Sequence, residues 1–124
     1  GTPINAIQGI PYINFVTSES TGAKGISLTL VTIEPGDGCV PHYHLDSETA
    51  LFLLSGEVVT RYGDELQHEV VARAGQSVYI GPNIPHSARN VGNVPAVAVS
   101  VRTDGDEQCR TIPYLPHEMA VKSA

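Results

Sequence analysis

The sequence predicts an all-β domain, a sandwich or barrel with little helix, and three observations carry that reading. Runs rich in Val, Ile, Leu, Thr and Tyr recur along the chain. The chain's 12 Gly and 9 Pro cut these runs into short segments. No long window shows the 3.6-residue period of an amphipathic helix.

Taken in order, ISLTLVTI (26–33), TALFLLS (49–55), EVVTRY (57–62), HEVVA (68–72), SVYI (77–80) and AVAVSVR (96–102) read as strands. Gly56, Gly63-Asp64, Gly75, GPNIP (81–85) and GNVP (92–95) are the turns between them. Several runs are apolar at successive positions, which suits strands covered on both faces and points to a homodimer formed through an outer face. The segment INAIQGIPYINFV (4–16) is too apolar to stand alone and is expected to pack on a barrel, its own or its partner's. The expected organisation is one domain over 1–124, with an N-terminal segment (1–20), a barrel core (25–103) and a C-terminal tail (104–124).

Composition narrows the partners. Hydrophobic residues make up 41% of the 124 positions and charged ones 16%, as in a folded globular chain. The net charge is -6 and there is no basic run, which argues against a nucleic-acid partner. No apolar stretch approaches the roughly 20 residues that span a bilayer. The N-terminal GTPINAIQG has neither the basic nor the apolar region of a signal peptide. Cys39 and Cys109 are the only cysteines and form no disulfide framework. A reduced, cytoplasmic setting is the expectation.

The chemistry gathers in GDGCVPHYHLDSETALFLLSGE (36–57). Alternate residues of an extended strand share a face, so His42 and His44 project the same way. Glu48 joins them if the chain stays extended. His86, just past a Gly/Pro/Asn turn in GQSVYIGPNIPHSARN (75–90), supplies a third imidazole. Imidazoles and a carboxylate converging at one place make a ligand set for a divalent metal.

These residues resemble the two motifs of the cupins, small β-barrels or jelly rolls. Gly36, His42, His44 and Glu48 follow the first motif, G-x5-H-x-H-x(3,4)-E-x6-G, in order and spacing up to the Glu. Gly75, His86 and Asn90 follow the second, G-x5-P-x-G-x2-H-x3-N, while its central Pro and Gly fall on Gly81 and Asn83 with Pro82 between. The resemblance implies a double-stranded β-helix and one metal held by His42, His44, Glu48 and His86, the ion being Fe, Mn, Zn or Ni. One departure concerns Glu48. Seven residues separate it from Gly56 where the pattern has six, so the pattern's Glu falls on Thr49. Either a bulge keeps Glu48 inward, the favoured expectation, or the site has three histidines only.

His68 and His117 match neither motif and are expected at the surface. Cys39 precedes His42 in C-x2-H-x-H, a spacing that could hold zinc, but is expected to be a small buried thiol. Tyr79 and Arg61 lie on strands that could line a cavity and steady an anionic substrate. No G-x-S-x-G elbow or phosphate loop is present. The resemblance implies a small-molecule metalloenzyme, with dioxygenase chemistry favoured. The alternatives are a non-redox lyase, isomerase or decarboxylase, and a non-catalytic binding or sensing module.

Overall fold

A computed structural model of the chain describes residues 1–106 and 111–115; Cys109 and His117 lie outside them. The strands are β1 (Thr2–Asn5), β2 (Pro11–Val16), β3 (Ser27–Ile33), β4 (His42–His44), β5 (Thr49–Ser55), β6 (Glu57–Tyr62), β7 (His68–Arg73), β8 (Ser77–Ile80), β9 (His86–Asn90), β10 (Ala96–Arg102) and β11 (Thr111–Pro113). One short helix, α1 (Ser18–Thr21), follows β2. It starts at Thr17, whose side chain accepts the Ser20 N–H while the Ser20 hydroxyl caps Thr17 in return. Gly22, with φ 77, ends it.

Two antiparallel sheets face each other. The larger runs β1-β2-β3-β10-β5-β8 and the smaller β11-β4-β9-β6-β7. Residues 2–5 and 11–16 thus extend the larger sheet of their own chain. The central strands β3 and β10 alternate strictly between buried and half-buried residues. The apolar core gathers Tyr12, Val31, Ile33, Leu53, Val58, Ala72, Ala96 and Ala98 between the sheets. Gly56 (φ 81) makes the β5–β6 turn; a Cβ there would lie 2.7 Å from the Ala96 backbone.

Asn90 closes the end of the barrel opposite the histidines. It is 1% exposed. Its Nδ2 donates to the carbonyls of Ile33 (2.9 Å) and Val94 (2.8 Å), and its Oδ1 accepts the Gly92 N–H (2.9 Å). Asn90→Ala leaves buried backbone groups unpaired and is expected to cost about 2–3 kcal/mol. Thermal unfolding should then fall by about 10 °C; an unchanged midpoint would remove Asn90 from this role.

Candidate metal centre

The short strand β4 turns His42 and His44 inward and Tyr43 away, as alternation requires. His42 pairs in register with His86, the first residue of β9. The three imidazoles form one cluster, with ring centroids 5.0 Å (His42–His44), 4.3 Å (His42–His86) and 5.2 Å (His44–His86) apart. All three are buried, and each offers a ligand atom within 4.8 Å of the others.

Backbone contacts set which nitrogen is free. His42 Nδ1 lies 2.6 Å from the Val40 carbonyl and His86 Nδ1 2.9 Å from the Ile84 carbonyl. A carbonyl only accepts, so each Nδ1 carries the hydrogen and each Nε2 keeps its lone pair. His44 Nδ1 meets the Thr111 hydroxyl at 3.0 Å. Its Nε2 is buried with no hydrogen-bond partner among the described residues. Burial, and next the neighbouring His86, lower His42 to about 3; burial lowers His86 to about 4. His44 is lowered too, by burial and then by the Arg102 charge. All three are neutral at pH 7. Three neutral imidazoles, oriented from behind and converging on one point, fit the requirements of a divalent transition-metal ligand set.

Glu48 is not brought to this cluster. It lies on the surface, where its carboxylate accepts the Tyr79 hydroxyl at 2.6 Å. The expected irregularity exists, as a register shift of β10 on β5 opposite Leu53 and Ser55, but it lies downstream and leaves Thr49, Leu51 and Leu53 as the inward set. Thr49, 1% exposed, occupies the inward position beside the histidines' end. The upstream loop explains the parity. Asp46 takes φ 55 and its N–H and carboxylate bind the Asn83 amide (2.9 and 3.1 Å), which fixes where β5 begins. Glu48→Ala is therefore expected to leave metal affinity within about twofold of wild type, far from the tenfold or greater loss that removing a ligand or its support brings. Calorimetric titration of the metal-stripped variant measures this.

Arg61 is likewise turned outward, while Tyr79 lines an outer cleft of about 340 Å³ and not the interior. Tyr79 is 65% exposed, and the Glu48 carboxylate holds its phenol above its ordinary range. Arg61 pairs with Glu69 at 3.4 Å on the solvent face of β6. His68 is exposed beside Tyr62. Cys39 is buried, accepts the Ala88 N–H at 3.1 Å, and is raised by burial, so it stays a thiol. Among the described residues the inward arginine is Arg102, 3% exposed, with its guanidinium 5.9 Å over the Tyr12 ring. It borders the interior cavity of about 60 Å³ together with His42 and His86. It continues the series Ala96, Ala98, Ser100 in AVAVSVR, and only the pairing of the sheets shows that series to be the inward one.

The fold and site together define a jelly-roll β-barrel with three histidines that could hold a divalent metal on its inner wall. The family model for the cupin domain, Cupin_2, matches residues 29–102, and the chain belongs to that family. Tetracenomycin polyketide synthase protein TcmJ of Streptomyces glaucescens is 32% identical over 92 residues, covering 74% of this chain and 60% of that protein. The chain spans 57% to 66% of the length of the curated relatives it matches. A predicted oxalate decarboxylase of Thermotoga maritima superposes with a TM-score of 0.69 at 20% identity, covering 82% of this chain and 90% of that one. An oxalate oxidase gives 0.74 at 21%, covering 95% and 66%. At these identities the two structures share the fold. Among the described residues no helix is long and apolar enough to cross a membrane.

Proposed function

We propose that the chain is a metal-dependent enzyme acting on a small oxygenated organic molecule, with dioxygenase-type chemistry. The observation that carries this reading is the convergence of three neutral, buried imidazoles, two of which border the interior cavity. His42, His44 and His86 would hold one divalent ion, and Glu48 would not take part. A bound ion supplies Lewis-acid polarisation of a substrate oxygen and, where it is redox-active, oxygen chemistry. The chain's own part is to fix the three nitrogens through Val40, Ile84 and Thr111 and to keep water out with Val31, Leu51 and Leu53. Among the relatives, TcmJ is named for polyketide synthesis, and the fold is shared with an oxalate oxidase and a predicted oxalate decarboxylase. An oxidase and a predicted decarboxylase are thus both named among proteins that share the fold. Elemental analysis of protein purified without added metal, followed by oxygen uptake with small diketones, thiols and hydroxy acids, tests the reading. One iron per chain with substrate-dependent uptake is expected. A bound metal with turnover and no uptake replaces it by lyase, isomerase or decarboxylase chemistry, and binding without turnover by a sensing role.

The working unit in this reading is a homodimer. Across the outer face of the larger sheet, Ile13, Leu30, Val99 and Phe52 stand in one register row, flanked by Leu28, Val101 and the exposed Leu54. A face of this size, about five strands by seven residues, offers about 500–600 Å² in plan. That approaches the roughly 800 Å² per partner of stable interfaces. Phe52→Lys is expected to halve the mass measured by light scattering, and a variant that keeps the wild-type mass would place the interface elsewhere.

A further inference from the structure

The strand that bears two of the three imidazoles is held differently at its two edges. Towards β9, β4 has a single register pair, His42 with His86, and its lead-in is tied there by the Cys39 N–H on the Ala88 carbonyl at 2.9 Å. On its other edge β11 covers it from end to end, with Thr111 opposite His44, Ile112 opposite Tyr43 and Pro113 opposite His42. β11 is the outermost strand of the smaller sheet. Just beyond it the Tyr114 N–H donates to the Pro41 carbonyl and the Tyr114 hydroxyl to the Asp64 carbonyl, both at 2.9 Å. The Tyr114 ring meets Tyr43 edge-on, with centroids 6.2 Å apart. β11 with Tyr114 is thus a strap laid along the ligand-bearing strand. It has three strand residues, one of them a proline with no N–H for the ladder. A short edge element of this kind opens more readily than the central strands of a sheet.

The imidazoles divide along the same line. His42 and His86 are oriented by carbonyls two residues away on their own segments, so local chain geometry places the hydrogen on each Nδ1. His44 depends on a group 67 residues away, the buried Thr111 hydroxyl at 3.0 Å from its Nδ1. The His44 carbonyl accepts the Asn83 N–H at 3.1 Å, which holds the backbone there independently of β11. What β11 supplies is the partner of the ring. For Nε2 to present its lone pair to an ion, Nδ1 must carry the hydrogen, and the Thr111 oxygen is the acceptor placed to take it. That Nε2 is buried and has no hydrogen-bond partner among the described residues. When β11 lifts away, His44 loses its support while His42 and His86 keep theirs.

We propose that Thr111 is the positioning residue of His44, and that through it the docking of β11 and the binding of metal favour each other. This rests on the metal-centre reading above and adds the element that controls that centre. Linkage makes the effect reciprocal. The factor by which a docked β11 strengthens metal binding is the factor by which metal strengthens docking. Contacts that support a metal-bound histidine from behind are worth about 10–100-fold in metal affinity.

Zinc alone is a suitable probe, since it is redox-silent and takes imidazole ligands. On the full chain stripped of metal, calorimetric titration gives the affinity, and hydrogen exchange at the Tyr114 amide gives the opening of the strap. Saturating zinc is expected to slow Tyr114 exchange by at least about tenfold in the wild-type protein. Thr111→Val keeps the β-branched shape and removes the oxygen. It should weaken zinc binding by at least about tenfold and cut the slowing of Tyr114 exchange to less than about twofold. Thr111→Ser keeps a hydroxyl and should hold both quantities within about threefold of wild type. Zinc that binds the wild-type protein without slowing Tyr114 exchange overturns the proposal, whether or not the valine variant folds. So does a folded valine variant with wild-type zinc affinity. Zinc that fails to bind the wild-type protein, or binds His42→Ala equally well, overturns the metal centre and this proposal with it.

Discussion

Replacing His42 or His86 by alanine is expected to reduce bound metal from about one ion per chain to less than about a tenth after dialysis, since even the loss of a supporting contact costs 10–100-fold in affinity. The size of the effect follows from the ligand count. Among the described residues the cluster comprises three nitrogens with no carboxylate in reach, so losing one leaves two. Neither Cys39, held as a thiol by burial, nor Glu48, bonded to Tyr79 at the surface, is placed to substitute. The variants should nevertheless fold. Among the described residues the side chains of His42 and His86 make no cross-sheet hydrogen bond, only contacts to carbonyls two residues away. Near-ultraviolet circular dichroism matching wild type, together with lost metal, is the expected pair of results. Full metal stoichiometry in either variant would show that the ion is bound elsewhere.

The histidine triad was legible because it depends on local rules alone. A period of two places His42 and His44 together, and a Gly/Pro/Asn turn starts the strand that His86 opens. The core strands were legible for the same reason, since Val, Ile and Leu runs between glycines need no tertiary knowledge. What the sequence did not disclose was parity, meaning which face of each strand looks inward. In β6 the inward residues are Val58 and Thr60, which sends Arg61 to solvent. In β10 the inward series ends on Arg102 instead. Both are arginines on apolar strands, and only the pairing of the sheets distinguishes them. Glu48 and Thr49 differ by a single step of the same kind. That step is set by the left-handed Asp46 and its contact with Asn83, 37 residues away in the chain. Strands β1 and β11 were missed because TPIN and TIP are too short to show a pattern, and pairing with β2 and β4 makes them strands.

Metal-stripped protein is expected to lose stability steeply as pH falls from about 6.5 towards 4, because its three inner histidines resist protonation while the unfolded chain does not. An unfolded histidine takes up its proton near pH 6.5. In the fold, burial holds His86 at about 4 and His42 at about 3, with His44 lowered as well. Above pH 6.5 both states carry neutral imidazoles, and the shifts have no effect on stability. Between 6.5 and the folded values only the unfolded state binds protons, so acid favours unfolding across that window. At pH 5 the imbalance is about 1.5 pH units for each histidine, or about 2 kcal/mol apiece and about 6 kcal/mol for three. That is comparable with the whole stability of a marginal domain, about 5–15 kcal/mol. Urea unfolding at pH 7 and pH 5 measures the difference. A bound ion opposes the effect, since it attaches only to the folded, deprotonated ligands, so the metal-loaded protein should unfold at lower pH than the stripped one. In a His42→Ala, His86→Ala double variant two of the three contributions vanish, and the loss between pH 7 and 5 should shrink to about 2 kcal/mol. That difference of slopes is independent of whatever the substitutions do to stability at neutral pH. A wild-type profile that stays flat down to pH 5 would mean that the imidazoles are hydrated or already charged in the fold, and a hydrated or charged triad is no ligand set.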